Sequence, residues 1–173
     1  MKILVPFTSL HPKVRTSLGG YEVTQVDVTG QPFGWSRYLQ DLWKKGEGFL
    51  VVEHDIEATP EALRQAVECD CGWSISPYKG SGTSFEKAPV IATGLGFTRF
   101  RSEFLAQHKD AMERANVIDD MGSVCPPGHW KMLDARLYSV LRADGCTPCI
   151  HSHVVHHHRY DYGCACGKDG CRG

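Results

Sequence analysis

"GFLVVEHDIEATPEAL", residues 48–63, sets four apolar residues, Phe49 to Val52, directly against Glu53, His54, Asp55 and Glu57. A solid apolar run of this length behind a glycine reads as a strand buried on both faces, the kind found in parallel sheets. Beyond the acids, Thr59 is a good N-cap and Pro60 fits a first helical turn, while Leu63, Ala66 and Val67 share one helix face. Strand, acidic turn and helix together form the unit of an α/β fold. In open α/β sheets ligands bind outside the carboxyl ends of the strands, which is where these acids fall.

The same alternation extends on both sides. "KILVPF" at 2–7 is a second solid strand, and "YEVTQVDV" at 21–28 is a β-branched one that stops at the turn-prone "TGQPFG". Trp35, Tyr38, Leu39, Leu42 and Trp43 recur at helical spacing, and Gly46 stands where a helix ends. The first third is therefore strand, helix, strand, helix, strand. Further on, "GWSISPY" at 72–78 reads as a strand and "KGSGTSFEKAP" at 79–89 as a polar loop. "VIATGLGFTRF" at 90–100 reads as a strand interrupted by two glycines. One helix from about Ser102 carries Phe104, Leu105, His108 and Met112. A second, opened by "CPPG", carries Trp130, Leu133, Leu137, Val140 and Leu141, and "TPCIHSHVVHHH" at 147–158 reads as a last strand. The expectation is a single α/β domain over 1–160, Rossmann-like, with a largely parallel sheet flanked by helices. A Cys-rich tail follows at 161–173.

Composition narrows the function. The chain has 173 residues, 42% apolar and 23% charged, as soluble globular domains do. A net charge of −1 supplies no field for tight non-specific DNA binding, and Lys79, Lys87, Arg99 and Arg101 form the one evident basic patch. "MKILVPFTSL", broken by Pro6, is too short in apolar residues for a signal peptide, and no stretch has membrane-span length. The expected location is cytoplasmic, with no membrane partner. In a reducing compartment, Cys69/Cys71, Cys146/Cys149 and Cys164/Cys166 read as metal ligands or plain thiols rather than a disulfide frame. Cys146, Cys149, Cys164 and Cys166 have an acceptable four-thiolate spacing for a structural zinc.

Three constellations carry chemistry. Glu53 and Asp55 are two apart, so in extended chain they project to one side and could seat a hard divalent cation with its phosphates. The plainer alternative is a pair of solvated acids at a helix start. Five histidines, His151, His153, His156, His157 and His158, fall within eight residues. Alternation sends His151 and His153 one way, and His156 and His158 the other, so two or three at most share an ion. Asp134 lies only ~20° around its helix from Leu141 and ~40° from Trp130, bordering the buried face where an unpaired carboxylate is costly. Arg136 and Arg142 point to the opposite side.

Taken in order, "VPFTS", "EHD", "TGLG", "HWKMLD" and "HSHVVHHH" resemble the motifs of GT-A-type glycosyltransferases, in particular small single-domain ones found among bacteriophage proteins. Glu53 stands where that family usually has Asp. The resemblance implies a GT-A-like fold in which Pro6, Phe7 and Thr8 meet the nucleotide. It implies that Asp55 holds a divalent cation, manganese or magnesium, with Glu53 beside it on the metal or ribose. Gly94, Gly96 and Trp130 would face the sugar or acceptor, and Asp134 would take the acceptor's proton. His153 or His156, with His156 favoured, would complete the metal shell. The donor implied is a nucleotide-diphosphate sugar, UDP-sugars first. The acceptor is a hydroxyl, with a hydroxymethylated pyrimidine in phage DNA as one class, in the host cytoplasm if phage-encoded. Two other classes compete. "HSHVVH" partly imitates the H-x-H-x-D-H motif of binuclear metallo-hydrolases, with Val155 at the Asp position. A zinc-binding interaction module could use Cys146, Cys149, Cys164, Cys166 and Cys171.

Overall fold

A strand such as "FLVV" is stable only with apolar cover on both sides, and the computed structural model supplies it. The structure describes residues 2–6, 10–79, 90–91, 94–118 and 125–157. In chain order the elements are β1 (Lys2–Pro6), α1 (Pro12–Ser17), β2 (Val23–Val26), α2 (Gly34–Lys45), β3 (Phe49–Val52), β4 (Ile56–Glu57) and α3 (Pro60–Glu68). They continue with β5 (Trp73–Ile75), β6 (Tyr78–Lys79), β7 (Val90–Ile91), β8 (Phe97–Phe100), α4 (Ser102–Gln107) and α5 (Ala111–Val117). A 3-10 turn (Trp130–Met132), α6 (Leu133–Ala143), β9 (Cys149–Ile150) and β10 (His156–His157) complete them.

The central sheet has six strands in the order β2-β1-β3-β8-β5-β9. β1 is parallel to β2 and β3, and β5 is parallel to β9, while β8 runs against both of its neighbours. The sheet is thus largely parallel, as expected. Alternation sorts the side chains. Leu4, Phe49, Val51, Trp73, Ile75 and Phe100 pack with α2, α4, α5 and α6 on one face. Ile3, Val5, Leu50, Val52 and Phe97 pack with α1 and α3 on the other. All four residues of β3 are buried, which is why this strand shows no polar alternation.

The helix signals read from sequence are in place. The Thr59 hydroxyl accepts the Ala62 N–H at 3.1 Å at the start of α3. Gly46 closes α2 at φ 68°, a left-handed conformation that a Cβ disfavours. The second half of the chain is more broken than periodicity implies. "GWSISPY" divides at Ser76–Pro77 into β5 and β6, since Pro77 cannot donate to a ladder. "VIATGLGFTRF" divides into β7, paired with β6, and β8 in the main sheet. The helix expected from Ser102 to Met112 is two, α4 and α5, separated at His108–Asp110. The helix expected to open at "CPPG" begins only after the 3-10 turn. "TPCIHSHVVHHH" is not one strand. Its first part, β9, joins the main sheet beside β5, and its last, β10, leaves to pair with β4. Among the described residues no helix is long and apolar enough to cross a membrane.

Candidate active site

β3 delivers the acids to the carboxyl end of the sheet. There the Glu53 N–H donates to Gly96 O at 2.8 Å, tying the acidic turn to the glycine segment that leads into β8. Three residues on, the chain forms β4, and β10 pairs with it antiparallel, His157 opposite Ile56 and His156 opposite Glu57. This pairing spans about a hundred residues of sequence and sets His157 Nε2 3.0 Å from Asp55 Oδ2, with both side chains about nine-tenths buried. Glu53, Asp55 and His157 each offer a ligand atom within 4.8 Å of the other two.

The electrostatics follow from this packing. Burial pushes the Asp55 carboxyl up. The His157 hydrogen bond and the nearby His157 and His54 charges outweigh that and leave it below the usual carboxylate range. Burial holds His54 below its ordinary value. Asp55 Oδ1 is buried, and among the described residues no hydrogen bond reaches it. A buried carboxylate oxygen without a donor is costly unless something else meets it. One nitrogen and two carboxylate donors in one place, with that oxygen open, suit a divalent cation.

Tyr78 joins the glycine segment to this cluster. Its ring meets the His157 imidazole edge-on at 5.4 Å between centroids. A Cβ on Gly94 would overlap the Tyr78 hydroxyl, and one on Gly96 would lie 2.8 Å from Ile56 Cδ1 and 2.9 Å from Tyr78 Cε1. The space these glycines leave open is therefore filled by Tyr78 and Ile56. The Tyr78 hydroxyl is raised far above its usual pKa by burial first, and then by the charges of Glu53, Asp134 and Asp55. All three carboxylates thus lie within electrostatic reach of one phenol.

Asp134 reaches that neighbourhood from the first turn of α6. Its Oδ1 accepts the Ala135 N–H at 2.8 Å. Burial raises its pKa, and among the described residues no cation offsets this. Arg136 is turned away and donates to the carbonyls of Cys125 at 2.9 Å and Pro126 at 3.0 Å. Arg142 reaches the Thr147 hydroxyl. Trp130, one turn ahead of Asp134, donates its N–H to Pro32 O at 3.1 Å and stacks on His129.

The other residues singled out from sequence lie as follows. Pro6 ends β1 opposite Val26, while Phe7 and Thr8 fall outside the described residues. His153 is exposed, and His156 stands one residue off the Asp55 side of β10, so the imidazole brought to Asp55 is that of His157. His156 is the histidine that the resemblance favours, and the break between β9 and β10 sets His157 beside Asp55. His151 is bound to Ser76, 3.0 Å from its hydroxyl, and among the described residues it joins neither His153 nor His156 in a metal-ligand group. The expectation of no disulfide is corrected. Cys149 is bonded to Cys71, and Cys146 lies 3.3 Å from His108 Nε2, so this pair is not gathered as a zinc site. Cys164, Cys166 and Cys171 lie outside the described residues. Arg99 donates to Cys69 O, and Arg101 donates to Asp70. Lys87 lies outside the described residues. Sequence reasoning missed Tyr78 and His157. Nothing in local spacing marks either, because each is selected by a long-range strand pairing.

No family model matches the sequence, and no curated protein matches it. Several solved structures resemble the fold. One, a crystal structure of a glycosyltransferase involved in the glycosylation of the major capsid of PBCV-1, aligns over 87% of this chain and 80% of its own, at 13% identity and a TM-score of 0.49. Another, A197 from STIV, aligns over 78% and 76% at 13% identity and a TM-score of 0.39. At these values neither likeness speaks to chemistry.

Proposed function

We propose that this protein is a metal-dependent glycosyltransferase that moves a sugar from a nucleotide-diphosphate donor to a hydroxyl acceptor. The observation that carries the reading is the convergence of Glu53, Asp55 and His157 within 4.8 Å at the carboxyl end of β3, with Asp55 Oδ1 left open. The order of sequence motifs resembling GT-A enzymes supports it independently. A divalent cation at this cluster would neutralise charge developing on a diphosphate leaving group.

The chain's own residues would do the remainder. Asp55 and His157 hold each other in one geometry, so the ligand set is fixed before donor arrives. Glu53 is fixed through its backbone to Gly96 and would take the metal or a ribose hydroxyl. Pro6, Phe7 and Thr8 would line the nucleotide end, with a UDP-sugar as the first donor to test, and Trp130 would border the acceptor side. Asp134, raised by burial, would accept the proton from the attacking hydroxyl, since an alcohol is a poor nucleophile until a positioned base helps it. A modified pyrimidine in phage DNA as acceptor rests on the sequence resemblance alone.

Calorimetry tests the reading. A UDP-sugar should bind in manganese and lose most of its affinity in chelator or in Asp55→Ala. Equal affinity under all three conditions would overturn it.

A further inference from the structure

Away from the acidic cluster, three cysteines meet at the opposite edge of the sheet. Cys69 and Cys71 lie on the turn that leaves α3, and Cys149 lies in β9, paired opposite Ser74. Their three sulfurs lie within 4.8 Å of one another, and all three residues are half-buried. A Cys71–Cys149 disulfide uses two of them and gives no account of the third. Four thiolates around zinc at about 2.3 Å place sulfurs roughly 3.8 Å apart, a spacing this trio can adopt once that bond is open.

The surroundings are built for such a site. From β8, Arg99 donates to Cys69 O at 2.6 Å, and Arg101 donates to Asp70 O at 3.2 Å and to Asp70 Oδ1 at 3.1 Å. Two guanidinium groups therefore hold the Cys69–Cys71 turn in place. They also put positive charge beside a group that, as three thiolates with one divalent ion, would carry one negative charge.

We propose that Cys69, Cys71 and Cys149 form a thiolate zinc site in the reduced chain, with the Cys71–Cys149 disulfide as its oxidised alternative. Opening the disulfide takes two electrons and two protons from a thiol reductant, which leaves as its own disulfide. Zinc then displaces three thiol protons, and no further redox change occurs. The fourth position is left to water. The site clamps the end of α3 to β9, a two-residue edge strand that leads toward β10 and His157. It is separate from the proposed donor site and does not depend on it.

The test uses full-length protein prepared under thiol reductant, dialysed, and analysed for metal. One zinc per chain is expected. Replacement by cobalt should give the near-ultraviolet thiolate-to-cobalt charge-transfer band, which the histidines and carboxylates of the other cluster cannot produce. Cys69→Ser should lose the zinc and the band while leaving the Cys71–Cys149 disulfide able to form on oxidation. The proposal is overturned if reduced wild-type protein holds no zinc and shows no charge-transfer band. It is equally overturned if Cys69→Ser keeps its zinc.

Discussion

Replacing Asp134 by Asn separates a proton acceptor from a structural acid. Among the described residues, the only hydrogen bond its carboxylate oxygens accept from another residue comes from the Ala135 N–H at 2.8 Å, and an amide oxygen can accept the same bond. Asn therefore keeps the shape and the contact and removes only the capacity to take a proton. Loss of a general base typically costs about 10²–10⁴ in rate. At 1.36 kcal/mol per decade that is about 2.7–5.4 kcal/mol of transition-state stabilisation. Stability should move the other way. Burial holds the folded pKa of Asp134 above its ordinary 3.8, so ionisation is disfavoured by folding. The stability this group contributes is present below 3.8 and is lost as pH rises through the raised folded value. Asn does not ionise, so the variant should melt at or slightly above wild type at pH 7 and show no such loss with rising pH. Wild-type turnover should climb through the raised pKa, while the variant's profile stays flat there. The assay pairs single-turnover sugar transfer with thermal melts across pH. Normal turnover joined to a stability loss of about 3–5 kcal/mol, the cost of breaking a buried charged pair, would refute the reasoning and make Asp134 an anchor.

His157→Ala should weaken metal-dependent nucleotide binding by at least about 10–100-fold, the range seen for supporting residues of metal sites, while His153→Ala leaves it unchanged. Titration of both variants with manganese and donor checks this, and the reverse ranking would return the role to His153. Gly94→Ala places a methyl against the buried Tyr78 hydroxyl and should cost about 1–3 kcal/mol by denaturant melt. Tyr78→Phe in the same chain should recover part of that loss, and simple additivity of the two changes would show that the glycine is not there for Tyr78.

The sequence by itself determined the layers and the first half of the site. The solid run of Phe49–Val52 could only be a two-faced strand, and the Thr59 cap and Gly46 stop fixed the helices around it. These signals are local, set by hydrophobic spacing and backbone chemistry over a few residues. Placement of Glu53 and Asp55 at the carboxyl end of the sheet then followed from topology. Which histidine meets Asp55 did not, because it depends on whether 147–158 runs as one strand or breaks. The break is decided by the partners available. β9 finds β5, while six residues further on β10 pairs with β4. The same holds for Tyr78 beneath Gly94 and Gly96, and for Cys149 beside Cys69 and Cys71. Each of these meetings joins segments far apart in the chain, and period-2 or period-3.6 patterns carry no information about which distant segment will be the neighbour.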